Sequence, residues 1–210
     1  MKKFFVPILL LVFSCYLFAE SYLFPAKDIK EINIVINNGT LNIKSTNAKD
    51  IVIDISPNKS PNTDRQISVK DKELNVYLID SEITDKTIIN MSVPKQSNLE
   101  INSIVANINI YDVSGTLDLD ATTGNINITN FNGQLEIDSI DTTVKASGIF
   151  KYIDIENTRA NITVTLNKLP SNYNYSIKGG GNILFNAAKG INKANISIDS
   201  HEFDGTFTLK

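Results

Sequence analysis

The stretch that decides the fold runs from Leu99 to Val164 and reads LEINSIVANINIYDVSGTLDLDATTGNINITNFNGQLEIDSIDTTVKASGIFKYIDIENTRANITV. Within it, a pair of apolar residues flanking one outward residue returns every nine residues, without insertion or deletion. The eight pairs, numbered here as arms 1 to 8, are Leu99/Ile101, Ile108/Ile110, Leu117/Leu119, Ile126/Ile128, Leu135/Ile137, Val144/Ala146, Ile153/Ile155 and Ile162/Val164. The alternation within each arm predicts a β-strand with one buried face. The fixed period predicts a repeat architecture.

The polar residues around these pairs indicate a true period of eighteen residues. Between the pair members, odd arms carry Glu100, Asp118, Glu136 and Asp154, whereas even arms carry Asn109, Asn127, Lys145 and Thr163. After the pairs, odd arms carry Asn102, Asp120, Asp138 and Glu156, whereas even arms carry Tyr111, Thr129, Ser147 and Thr165. Seven of the eight odd-arm positions are acidic, and none of the eight even-arm positions is. The sequence therefore predicts coils of two opposed strands, with the acidic residues on one face.

The fold class predicted from this pattern is all-β, a single-domain β-solenoid with about eighteen residues in each two-sided coil. We expect irregular β-strands over 20–98, the regular repeat core over 99–165, and capping strands over 166–210 of the same domain. Caps are expected because a bare terminal coil would expose a strand edge. An antiparallel β-sandwich is the alternative, since Asn132-Gly133 also fits a hairpin turn. Asn38-Gly39 fits either a hairpin or a coil corner.

The first nineteen residues have the features of a secretory signal peptide. Lys2-Lys3 precede a nearly unbroken apolar run that ends at Phe18, and the small residue Ala19 follows it. The sequence therefore predicts export to the periplasm, the cell surface or the exterior, with no membrane span after removal of 1–19. Cys15 offers an alternative, a lipoprotein anchored through an acylated cysteine, because Val12-Phe13-Ser14-Cys15 loosely resembles a lipobox.

Charge and composition exclude several classes of function. The 210 residues include 23 acidic side chains and 20 Lys or Arg, and the net charge of −3 gives no pull toward nucleic acid. Cys15 is the one cysteine and His201 the one histidine, so the sequence has no disulfide framework and no Cys/His metal site. We expect no cofactor.

Several features beyond the repeat itself occur together in this chain. They are the signal peptide, the early strand pair around Asn38-Gly39, the strand that ends in Ser92-Val93-Pro94, and the Gly-x-Ile/Leu-x-Ile/Leu arms that follow it. With them, the chain resembles the bacterial putative-adhesin family of exported β-strand-repeat domains over nearly all of its mature length. The resemblance implies a β-solenoid-like fold at the cell envelope, and it implies no catalytic residue.

The acidic residues of the odd arms form the candidate binding face. They are Glu100, Asp118, Asp120, Glu136, Asp138, Asp154 and Glu156. Neighbouring strands lie ~4.8 Å apart, so like charges in successive coils repel by ~1 kcal/mol per pair in water. A bound cation or cationic partner, such as a basic peptide or surface protein, would relieve that repulsion. The alternative is a solubilising face that discourages lateral sheet stacking.

The same residues predict neither an enzyme nor a calcium site. Carbohydrate-active β-helices group their carboxylates beside aromatic residues, whereas this chain has no Trp and its acids recur regularly. The Gly-Gly-x-Gly-x-Asp calcium repeat is absent, so no metal is expected. The expected function is a non-catalytic surface binding module or adhesin, with an unidentified protein, peptide or glycan as partner. The alternative is an envelope protein that senses or sequesters cationic peptides or cations.

The even arms carry a second polar surface, rich in asparagine. Its amide side chains are Asn107, Asn109, Asn125, Asn127 and Asn161. Three interpretations are open: amide ladders along the repeat, a surface that contacts glycans, or an ordinary strand exterior.

Overall fold

The computed structural model describes residues 20–56, 63–80, 87–159, 161–168, 170, 173–186, 196–199 and 208–209. The predicted signal peptide, with Cys15, lies outside the described residues, so the expectations of export and of lipidation stay predictions. The thirteen strands are β1 (Glu20–Pro25), β2 (Glu31–Thr46), β3 (Asp50–Ser56), β4 (Thr63–Lys70), β5 (Glu73–Asp80), β6 (Ile88–Pro94), β7 (Leu99–Tyr111), β8 (Ser114–Asn157), β9 (Ile162–Leu166), β10 (Asn174–Gly179), β11 (Ile183–Asn186), β12 (Ile196–Asp199) and β13 (Thr208–Leu209). All of them join one sheet, and a 3-10 turn (Ala26–Asp28) follows β1. The described fold is all-β, as predicted.

Strands β7 and β8 pair in parallel, with eighteen residues between partners. Leu99 pairs with Leu117, and the ladder continues as far as Tyr111 with Thr129. The same offset joins β8 to β9, where Val144 pairs with Ile162. Because eighteen residues contain two arms, odd arms stack on odd arms and even arms on even arms. This register places the acidic residues on one face, which is the separation seen in the sequence.

The apolar pairs fill the interior between the two faces. All sixteen of their side chains are buried, and the most exposed of them is Ala146 at 3%. A third buried position, which the sequence analysis did not include, lies where each even arm turns into the next odd arm. It is occupied by Val113, Phe131 and Phe150, and the rings of the two phenylalanines stack with their centroids 6.1 Å apart. The interior therefore extends into the turns between arms.

Strand β2 pairs with β7 along most of its length, although the paired residues lie 67 positions apart in the chain. Ile32 pairs with Leu99, and the parallel ladder continues as far as Lys44 with Tyr111. Asn38-Gly39 lies inside this ladder. The dipeptide is therefore not a hairpin turn, because the chain stays in the same parallel ladder on both sides of it.

The remaining strands extend the stack in both directions. On the side of β2 away from β7, its first half pairs in parallel with β5 and its second half with β6. Beyond these, β4 pairs antiparallel with β5, β3 with β6, and β1 with β3. At the other end, β10 stacks in parallel on β8, and β11 on β9. The region 20–98 thus continues the parallel stack before antiparallel strands close it.

Candidate binding groove on the acidic face

The seven predicted acidic residues stand in two columns along the stack. The ladder sets Glu100 beside Asp118, and β10 sets Ser176 beside Asp154. We call Glu100, Asp118, Glu136 and Asp154 the first acidic column, and Asp120, Asp138 and Glu156 the second acidic column. Asn102 pairs with Asp120 at the lower end of the second column, and Lys178 pairs with Glu156 at its upper end. The structure therefore brings together all seven residues, whereas their role in binding stays a prediction.

The carboxyl groups in the middle of the columns have shifted pKa values. Partial desolvation raises the pKa of Glu136, and the neighbouring carboxylates of Asp118 and Asp154 raise it further. Desolvation likewise raises the pKa of Asp138, followed by the charges of Asp120 and Glu156. The two columns are close enough to act as one field of negative charge. Such a field favours the approach of a cation.

Two side chains next to the columns interact with their upper ends. The hydroxyl of Tyr152 donates a hydrogen bond of 3.1 Å to Oδ2 of Asp154. The ammonium nitrogen of Lys178 lies 3.5 Å from Oε2 of Glu156, and both side chains are largely exposed. An exposed ion pair of this kind contributes little to stability. It shows that the upper end of the second column accepts a cationic side chain.

The second acidic column forms one wall of a groove with a volume of about 720 Å³. The other wall carries three isoleucines that are unusually exposed: Ile79 at 46%, Ile104 at 55% and Ile140 at 43%. The floor includes Ser103, Ala121 and Ser139, where each odd arm turns into the following even arm. Carboxylates and exposed isoleucines therefore face the same concave surface. A ligand in it would contact both.

The isoleucine wall could not be predicted from the nine-residue pattern. Ile104 and Ile140 lie between arms, where the nine-residue pattern predicts corners and draws no attention to apolar residues. The signal was their residue type, because a corner exposed to water is normally polar. Ile79 belongs to β5 and reaches the groove only because β5 stacks below β2.

The even arms form an amide ladder, one of the three interpretations open from the sequence. Asn127 donates to Asn109 (3.1 Å), Asn109 to Asn42 (2.9 Å) and Asn42 to Asn90 (2.9 Å), each time from Nδ2 to Oδ1. Asn125 donates in the same way to Asn107, over 2.8 Å. These amides hydrogen-bond to one another along the stack. Because these amides are uncharged and already hydrogen-bonded to one another, the acidic face is the better candidate for binding a charged ligand.

The raised pKa values predict how stability depends on pH. Between the ordinary values (4.5 for Glu136, 3.8 for Asp138) and the raised ones, the folded chain binds more protons than the unfolded chain. The free energy of unfolding therefore rises as the pH falls through that window. We expect the double variant Glu136→Gln/Asp138→Asn to melt about 2–4 °C higher at pH 7, which corresponds to relief of ~1 kcal/mol after salt screening. When the pH is lowered, the melting temperature of this variant should rise less than that of the wild type, as measured by thermal melts.

The control for this prediction is Asp141→Asn, which removes an exposed corner carboxylate that belongs to neither column. It should leave the pH dependence of the melting temperature as in the wild type. Equal pH profiles for wild type and double variant would contradict the electrostatic account of the columns.

Within the ranges that the structure describes, no group of three or more His, Cys, Asp or Glu side chains is arranged to hold a metal ion. In the same part of the chain, no helix is long and apolar enough to cross a membrane. The acidic columns are thus a linear array of charges rather than a convergent cage.

No family model and no curated protein sequence matches the chain. Among solved structures, the chain is similar to a putative cell adhesion protein from Clostridium sporogenes, with 11% identity, a TM-score of 0.38, and coverage of 91% of this chain and 99% of that chain. It is also similar to a putative adhesin from Bacteroides fragilis, with 15% identity, a TM-score of 0.39, and coverage of 91% and 96%.

A third similar structure is described as a putative lipid binding protein, from Parabacteroides distasonis, with 13% identity, a TM-score of 0.32, and coverage of 91% and 96%. At these identities the likeness does not extend to a ligand. The first two descriptions name the class of protein that the sequence resembles, the bacterial putative adhesins.

Proposed function

We propose that the chain folds as a β-solenoid whose two-sided coil contains about eighteen residues. The parallel ladders with an eighteen-residue offset, from Leu99 with Leu117 to Val144 with Ile162, support this architecture. The antiparallel sandwich predicts antiparallel neighbours in the same stretch. Antiparallel pairs occur among β1, β3, β4, β5 and β6, outside the nine-residue repeats.

The function that the geometry supports best is a non-catalytic, exported binding module that holds a cationic partner on the acidic face of this solenoid. The observation that carries the proposal is the groove, in which the second acidic column faces exposed isoleucines. Repelling carboxylates and exposed apolar side chains are both unfavourable in the free protein. A single bound partner would relieve both.

Two roles fit a binding module of this kind. The first is an adhesin or surface binding module at the cell envelope, which matches the family that the sequence resembles. The second is an envelope protein that senses or sequesters cationic peptides, and the three carboxylates of the second acidic column in the groove wall favour it. The two differ in how strongly salt should weaken binding, because attraction between exposed charges is screened.

The proposal is non-catalytic because of how the acids are arranged. Each column repeats one type of side chain at equal spacing, from coil to coil. An enzyme of the carbohydrate-active type needs two carboxylates in different roles at one point of the substrate. Columns suit a distributed binding surface instead.

The test uses the mature chain, 20–210, and a labelled peptide of alternating lysine and glycine, followed by fluorescence anisotropy. We expect binding at about 50 mM salt that weakens at least tenfold at about 500 mM salt, as screening requires. Asp120→Asn/Asp138→Asn should weaken binding about tenfold at the lower salt concentration. The control Asp141→Asn should bind as the wild type does.

If the peptide does not bind at the lower salt concentration, the proposal of a cationic partner is wrong. Binding that is insensitive to salt, and unchanged in the double variant, would favour the adhesive role through another surface.

A further inference from the structure

The groove changes its chemistry along its length. In the upper part of the groove, the wall presents the three carboxylates of the second acidic column, Asp120, Asp138 and Glu156. The same position in the lower coils is held by Asn102 and Val35, with Tyr77 of β5 beside Val35. The lower part of the groove therefore lacks acidic residues in this column. The lower end is apolar without carboxylates in this column, whereas the upper end carries three carboxylates, with Ile140 at the level of Asp138.

Exposed apolar side chains are concentrated at the lower end. Ile79 and Ile104 line the groove there, at 46% and 55% exposure, and Tyr77 next to them is 39% exposed. Ile36 forms the floor between them and is fully buried. Apolar surface left in contact with water marks a place where a partner docks.

The dimensions of the groove suit one extended chain. Its lining residues come from six successive levels: β5, β2, β7 and three arms of β8. At ~4.8 Å per level these span about 24 Å, which is the length of about seven residues in extended conformation.

One polar group in the floor has no partner among the described residues. Ser103 is 8% exposed and lines the groove, and its Oγ makes no hydrogen bond there. Buried hydroxyl groups are normally hydrogen-bonded. An extended peptide brings backbone donors and acceptors at every residue.

We propose that the groove binds an extended peptide segment of about seven residues, with apolar side chains at one end and lysine or arginine at the other. The apolar end lies against Ile79 and Ile104, and the basic end lies against Asp120, Asp138 and Glu156. The charges are complementary, and Lys178 already occupies a position beside Glu156 as a cationic side chain would. This inference rests on the proposed function and names the chemistry of its ligand.

The test compares three labelled heptapeptides by fluorescence anisotropy with the mature chain at about 50 mM salt. The segregated peptide has two leucines at one end and two lysines at the other, the mixed peptide has the same composition with leucines and lysines alternating, and the basic peptide has serines in place of the leucines. We expect the segregated peptide to bind about tenfold more tightly than either of the others.

Two variants then test separately whether the apolar end and the charged end of the groove bind the peptide. Ile104→Ser should reduce binding of the segregated peptide to the level of the basic peptide, without changing binding of the basic peptide. Asp138→Asn should weaken both. The matched controls are Val105→Ser, an exposed neighbour that does not line the groove, and Asp141→Asn, and neither should change any affinity. Melting temperatures measured in parallel identify a variant that has lost its fold.

The outcomes separate this inference from the function on which it rests. If the basic and segregated peptides bind equally well, the apolar end is not a binding site, while the acidic face still binds cations. If the mixed peptide binds as tightly as the segregated one, the groove does not have separate sites for apolar and basic side chains at its two ends. If none of the peptides binds, both proposals are overturned.

Discussion

Gly124→Ala is expected to destabilise the fold strongly. Gly124 has a φ of +138°, which L-residues rarely adopt, and a Cβ placed there would lie 1.9 Å from the carbonyl oxygen of Ala106 in the coil below. Backbone cannot yield as a flexible side chain can. Backbone strain and overpacking each cost about 1–3 kcal/mol, so we expect a loss of about 3–5 kcal/mol in the free energy of unfolding.

Urea denaturation followed by circular dichroism measures this loss. The matched control is Gly179→Ala. A Cβ at Gly179 would lie 3.0 Å from the end of the Ile162 side chain, and its next contacts, Ile183 Cδ1 at 3.5 Å and the Asn157 carbonyl oxygen at 3.6 Å, are at ordinary van der Waals distance. The methyl group of Ile162 can move, so the control should cost less than about 1 kcal/mol. If the two substitutions destabilise the fold equally, the backbone around Gly124 has room for a Cβ and the expected clash does not occur.

Phe150→Ala is expected to have the second largest effect. Phe150 is fully buried in a corner of the coil, and its ring stacks on Phe131 with 6.1 Å between centroids and 19° between planes. Truncation of a buried phenylalanine leaves a cavity and costs about 3–5 kcal/mol. Urea denaturation should show this loss as a lower midpoint with an unchanged slope.

The conservative variant Phe150→Leu provides the comparison, since it retains most of the apolar volume and should cost less than about 1.5 kcal/mol. An alanine variant as stable as the leucine variant would mean that this corner contributes little to the core.

The sequence allowed some of the core to be predicted and not the rest. The eight apolar pairs were found because alternation within an arm follows directly from the pleat of a strand. Phe131 and Phe150 were missed because they lie outside the pairs. A signal existed, since Val113 and Phe131 are eighteen residues apart, the same offset as the arms.

The candidate site was predicted in part for a similar reason. The acidic residues recur with the eighteen-residue period, so their two columns follow from the register alone. The apolar wall of the groove follows this period only in part. Ile104 and Ile140 are 36 residues apart, with Thr122 at the intermediate position. Ile79 lies on β5, and only the stacking of β5 below β2 brings it to the same surface.

The sequence by itself determined that the chain is all-β, that its arms alternate between buried and outward residues, and that the acids share one face. Only the tertiary structure decided where β2 lies. Its Ile32/Ile34 and Leu41/Ile43 pairs match the pattern of the arms, and such a strand could pair in parallel with many others. Its place between β7 on one side and β5 with β6 on the other depends on contacts between residues far apart in the chain. Local pattern fixes which side of a strand is buried, whereas the choice of neighbour depends on the packing of the whole stack.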